Sequence, residues 1–121
     1  MVTDPTVGRE GALADSADLA DLAQRFQQFA DEREWGPFHS PKNLASALVV
    51  EAGELLEHFQ WLTEDQSRQL SPEHQQAVAH EMADVLLYLV QLASSLNVDL
   101  MQAARQKMVL NAIKYPAPGQ A

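Results

Sequence analysis

Residues 71–96, SPEHQQAVAHEMADVLLYLVQLASSL, decide the fold. Ser71 has the side chain of a helix cap, and Pro72 suits the first helical position, where a missing amide hydrogen costs nothing. Behind them Val78, Met82, Val85, Leu89, Leu92 and Leu96 recur at helical spacing, which predicts one long helix with an apolar stripe. Between Val85 and Val90 only Tyr88 is polar, so the helix is apolar around most of its circumference and calls for cover by subunit contacts.

Working outward, Asp65 to Leu70 reads as polar linker, and before it Leu44, Leu48, Leu55, Phe59 and Leu62 mark a helix from about Pro41 to Leu62. The loop Trp35-Gly36-Pro37-Phe38-His39-Ser40-Pro41 breaks the helical period with one glycine and two prolines. A first helix is predicted from a Ser16 cap through Leu19, Leu22, Ala23, Phe26, Phe29 and Ala30 to about Glu34. On the other side, Asn97-Val98-Asp99 turns the chain into a last helix, from about Leu100 to Tyr115, stopped by Pro116. No stretch alternates with period two, and there is no repeat or low-complexity block. The expectation is an all-α, four-helix bundle-type domain over residues 16–116, with a flexible segment 1–15 and a tail 117–121, assembling as a homo-oligomer.

Composition narrows the function classes. The 121 residues hold eight basic and seventeen acidic side chains, a net charge of −9, which argues against gripping long nucleic acid by its phosphates. A small polyphosphate bound through metal is compatible, because the cation supplies positive charge locally. With no cysteine, there is no thiolate zinc site or thiol nucleophile, and a reducing, cytoplasmic setting is expected. The polar start lacks the pattern of a signal peptide, and no apolar run approaches membrane-spanning length.

Two acidic pairs carry the chemistry: Glu51 with Glu54, and Glu81 with Asp84. Residues three apart share one edge of a helix, and each pair borders an apolar face. Packed side by side, the two helices would bring four carboxylates together, an arrangement that repels itself unless a cation intervenes. Oxygen-only ligation selects Mg²⁺ or Mn²⁺, which leaves positions open for water and substrate phosphates. Gly53, inside the first pair, costs about 1 kcal/mol of helix stability relative to alanine and fits either a close approach by another group or simple tolerance.

Trp35, Phe38, His39, Trp61 and Tyr88 are the candidates for a slot in which a flat base stacks, against the alternative of core plugs at the bundle ends. On the last helix, Lys107, Asn111 and Lys114 share a face that can hold outer phosphates, while Arg105 lies on a different side. His58, His74 and His80 complete no metal spacing and read as surface or capping residues.

Together these residues resemble the all-α nucleoside triphosphate pyrophosphohydrolases of the MazG-like superfamily, most closely the dCTP pyrophosphatase branch, over about Leu19 to Pro116. The carriers are the stretch from Trp35 to Leu44, Glu51-Ala52-Gly53-Glu54-Leu55 with Phe59-Gln60-Trp61, the stretch from Glu81 to Leu89, and Lys107-Met108 with Asn111, Lys114, Tyr115 and Pro116. The resemblance implies a Mg²⁺-dependent enzyme that splits a nucleoside triphosphate between the α and β phosphates and so cleans the nucleotide pool. It implies Glu51, Glu54, Glu81 and Asp84 as metal ligands and catalytic acids, Trp35, Phe38, His39, Trp61 and Tyr88 as the base and sugar pocket, and Lys107, Asn111, Lys114 and Tyr115 as the phosphate-binding tail. It also implies a dimer or tetramer. Many relatives double the glutamate that opens the first acidic motif, whereas Val50 precedes Glu51 here, which fits the dCTP-type branch over the broad-specificity MazG type. Phe26 stands where some dCTP-type members carry a polar pocket residue. Two rival classes are a di-iron carboxylate bundle, which wants Glu-x-x-His and finds none here, and a non-catalytic helical adaptor.

Overall fold

The computed structural model describes residues 15–119, with side chains from residue 18. The expected flexible segment 1–15 and the side chain of Ser16 therefore lie, but for the backbone of Asp15 and Ser16, outside the described residues.

Every described element is helical. Helix α1 spans Asp15–Glu32, α2 Pro41–Glu57, a one-turn α3 Glu64–Ser67, α4 Pro72–Ser95 and α5 Leu100–Lys114, with a 3₁₀ turn at Gly36–Phe38 between α1 and α2. The starts are fixed by capping side chains. Ser40 Oγ accepts from the Asn43 amide at 3.2 Å and Ser71 Oγ from the His74 amide at 3.1 Å, each followed by proline in the first turn. Asp99 does the same for α5, accepting from the Gln102 amide at 3.0 Å.

Two helices end on residues in the left-handed region. Glu34 has φ 57° and Asn97 φ 56°, and the next amides reach back five residues, Trp35 to Ala30 and Val98 to Ala93, each at 2.9 Å. For glutamate this conformation costs of order 1 kcal/mol. It turns the chain so that Trp35 lands edge-on against Phe29, ring centroids 5.5 Å apart. The Asn97 turn sends α5 away from α4 at 99°.

One boundary differs from the sequence reading. Helix α2 stops at Glu57 instead of continuing to Leu62, because His58, Phe59 and Leu62 donate to carbonyls three residues back and wind the chain into tight turns. Thr63 then opens α3 with a reciprocal capping box with Gln66, so the presumed linker contains a helical turn.

Helix α4 is central: α2 packs along it, α1 covers another side, and α5 packs against α1. The buried core is small. Leu44 is 1 % exposed, and the other buried apolar side chains among the described residues are Ala23, Ala30, Val78, Val90 and Ala93. Val49, Val50 and Leu56 on α2, Met82 and Leu86 on α4, and Met108, Val109, Leu110 and Ile113 on α5 are left exposed, so one chain does not cover its own apolar faces. No single helix among the described residues is long and apolar enough to cross a membrane.

The α1–α4 contact contains one buried polar group. Gln91, 3 % exposed, donates from Nε2 to Gln27 Oε1, and Gln27 in turn donates to Asp31 Oδ1 at 2.8 Å. Gln27→Ala strands the buried Gln91 amide and should cost about 1–3 kcal/mol, whereas Gln91→Leu removes the need for a partner and should be close to neutral. Urea unfolding of the two variants measures the difference.

Candidate active site

Packing of α2 along α4 brings the acidic pairs face to face. Glu51, Glu81 and Asp84 each offer a carboxylate oxygen within 4.8 Å of the other two, and all three are half-buried. Glu54 lies outside that tight trio but hydrogen-bonds to Glu51. All four expected acids therefore meet. One oxygen of Glu51 and one of Glu81 are buried without any hydrogen-bond partner, and buried charged oxygens of this kind call for a counter-charge.

Electrostatics say the same. The Glu51 carboxyl is pushed from its ordinary 4.5 up to about 7, first by burial, then by the hydrogen bond and charge of Glu54 and by the charges of Asp84 and Glu81. Tyr88 is pushed upward as well, by burial and by Glu51 and Asp84, so its phenol remains a hydrogen-bond donor at neutral pH. Oxygen donors at these separations, two of them orphaned, fit a hard divalent cation.

Beside the acids stands an aromatic box. Phe26 stacks on His39 (centroids 5.7 Å, planes 14° apart) and meets Tyr88 edge-on at 5.6 Å, while Trp35 lies 5.9 Å from His39. Trp35 and Tyr88 are shared by two cavities. One, of about 390 Å³, is lined by Phe26, Phe29 and Trp35 together with Glu51, Asp84 and Tyr88. The second, of about 300 Å³, is bounded by Phe38, His39 and Asn43. Nδ1 of His39 is buried there without a partner.

Not every candidate arrives. Trp61 is 86 % exposed, beyond the turn that ends α2, and lines neither cavity. Lys107, Asn111, Lys114 and Tyr115 lie on or just past the exposed α5, with Lys114 Nζ 5.3 Å above the Tyr115 ring. Nothing comes within 4 Å of where a side chain on Gly53 would sit, so no close approach within the chain requires that glycine. His58 and His74 pair with each other, ring centroids 5.3 Å apart, and His80 meets Gln76, all away from the acids. Leu22, Arg25, Phe29 and Leu87 line the larger cavity and were not singled out from sequence as site residues. Of these, Leu22 and Phe29 belonged to the expected apolar stripe of the first helix; spacing alone does not tell a core stripe from a cavity wall.

An all-helical fold that sets four acids beside an aromatic cavity defines a class of site, and comparison with known proteins gives the family. The model of the MazG-like family matches residues 47–121. The dCTP pyrophosphatase 1 of Homo sapiens is 48 % identical over 92 residues, 74 % of this chain and 54 % of that protein. The Mus musculus protein of the same name is 42 % identical over 120 residues, 92 % of this chain and 71 % of that protein. The chain thus spans about half the length of the human relative. A crystal structure of a pyrophosphatase from Archaeoglobus fulgidus superposes with a TM-score of 0.76 at 36 % identity, over 83 % of this chain and 94 % of that one. The chain belongs to the MazG-like family.

Glu51 generates a pH dependence whose sign is fixed. Its folded pKa lies above its unfolded one, so the proton it holds contributes stability that is complete below about 4.5 and lost as pH rises through about 7. The melting temperature of metal-free protein should therefore fall between about pH 5 and about pH 8, and Mg²⁺ should raise it more at the higher pH. Glu51→Gln should flatten that slope. Thermal scans with and without Mg²⁺ read both effects.

Proposed function

We propose that this chain is a divalent-metal-dependent nucleoside triphosphate pyrophosphohydrolase, cleaving between the α and β phosphates and acting on dCTP or a modified dCTP in nucleotide-pool sanitation. The observation that carries the reading is the meeting of Glu51, Glu54, Glu81 and Asp84 beside a cavity walled by Phe26, Phe29, Trp35 and Tyr88. The names of the human and mouse relatives and of the Archaeoglobus fulgidus structure support it.

The four acids would hold Mg²⁺, or Mn²⁺ in its place. When bound, such a cation supplies an activated water at neutral pH and neutralises charge on the phosphates. The protein's own groups do the rest. Trp35, Phe38 and His39 offer faces for the base, and Tyr88, still protonated, stands between base and acids as a donor.

Trp61 and the Lys107, Asn111, Lys114 and Tyr115 group complete the substrate site in a homo-oligomer, dimer or tetramer, whose contacts cover the exposed apolar faces of α2, α4 and α5. No long nucleic acid or membrane takes part, and the cytoplasm, which holds the nucleotide pool, is the setting.

Incubation with dCTP and Mg²⁺ should release dCMP and pyrophosphate in equal amounts; orthophosphate alone would contradict the cleavage site. Glu81→Gln and Asp84→Asn should each lose at least about 100-fold in kcat, since even groups behind metal ligands can cost that much. A panel of dCTP, 5-methyl-dCTP, dUTP and the ribonucleotides separates a dCTP-type enzyme from a broad MazG-type one. Light scattering should give a mass that is a multiple of 13.4 kDa, and Ile113→Glu, on the exposed face of α5, should lower it.

A further inference from the structure

Helix α1 presents Leu22, Arg25, Phe26 and Phe29 to the larger cavity, at i, i+3, i+4 and i+7, a single helical face. Glu51, Asp84 and Tyr88 line the same cavity. Among the residues that line this cavity Arg25 is the one cation. Its side chain is 77 % exposed, and its Nε is held by Asp21 Oδ2 at 2.9 Å, one turn back on the same helix.

From this placement we infer that Arg25 is a substrate-binding residue, whose guanidinium leaves Asp21 to hold phosphate oxygens of the nucleoside triphosphate. The inference rests on the proposed function and names a contact that the acidic and aromatic motifs do not include. Three physical points support it. A triphosphate drawn toward four carboxylates needs positive charge from more than one direction, and within this chain's own cavity Arg25 supplies it. The planar guanidinium matches two phosphate oxygens at once, which an ammonium cannot. Its existing partner is an exposed carboxylate in a one-turn pair, a weak interaction that a multiply charged phosphate displaces readily.

Steady-state kinetics and equilibrium binding test this together, using the full chain with Mg²⁺. Arg25→Ala should raise KM for the preferred nucleoside triphosphate by about 10-fold or more, the loss expected for a charge-assisted hydrogen bond, with kcat changed by less than about 3-fold. Arg25→Lys should recover part of that loss. Asp21→Ala, which frees the guanidinium, should leave KM equal or lower. The fall of kcat/KM with rising salt should be shallower in Arg25→Ala than in the unaltered protein. The Mg²⁺-induced rise in melting temperature should be unchanged in Arg25→Ala, because the metal acids are intact.

If the unaltered protein hydrolyses nucleotides and Arg25→Ala keeps KM within about 2-fold with the same salt dependence, Arg25 is a solvated surface pair with Asp21 and the inference is overturned, while the proposed function stands. If the unaltered protein hydrolyses none, binding of the α,β-imido triphosphate decides. Weaker binding by Arg25→Ala supports the contact on its own, and equal or absent binding overturns it.

Discussion

Four carboxylates drawn together by two packed helices repel one another, and the rest of this structure is arranged around that repulsion. Glu51 sits at the border of the apolar face by which α2 meets α4, so it cannot turn fully to solvent, and Glu54, Glu81 and Asp84 surround it. A cluster of this kind has two ways to lower its energy: take up a proton, as the raised Glu51 shows, or take up a cation. Among the described residues, no donor reaches the buried oxygens of Glu51 and Glu81. A divalent cation bound by these acids would stabilise the folded chain.

The surrounding fold keeps that cluster next to a surface suited to a flat, apolar group. The left-handed turn at Glu34 folds Trp35 back against α1, and the 3₁₀ turn that follows sets His39 onto Phe26. Tyr88 lies one turn beyond Asp84 on α4 and closes the box from below, at once touching the aromatic rings and feeling the charge of the acids. The aromatic box and the acids are thereby joined through a single helical turn. The outward course of α5 leaves apolar residues of α2, α4 and α5 open.

What the sequence disclosed follows the range over which each signal acts. The acidic pairs were legible because i, i+3 spacing is a local property, and the apolar stripe on 71–96 fixed which edge they share. The caps at Ser40 and Ser71 were readable for the same reason, although only the second was read. The end of α2 was misjudged because Leu62 continues the apolar spacing while the competing signal, the Thr63–Gln66 capping box, lies just beyond it. Arg25 and the Gln27–Gln91 bond escaped because each takes its meaning from residues some sixty positions away on α4. Trp35 and Trp61 look alike in sequence, yet only the first is turned inward by a left-handed residue before it.

Crystals grown with Mn²⁺ test the central claim most directly, because manganese is located by its anomalous scattering whatever the phases of the protein suggest. The expected map has its strongest peak at bonding distance from carboxylate oxygens of Glu51, Glu54, Glu81 and Asp84, with open coordination positions facing the aromatic cavity. A map with no peak among those four residues at saturating Mn²⁺, or with the four side chains turned apart toward solvent, would contradict it.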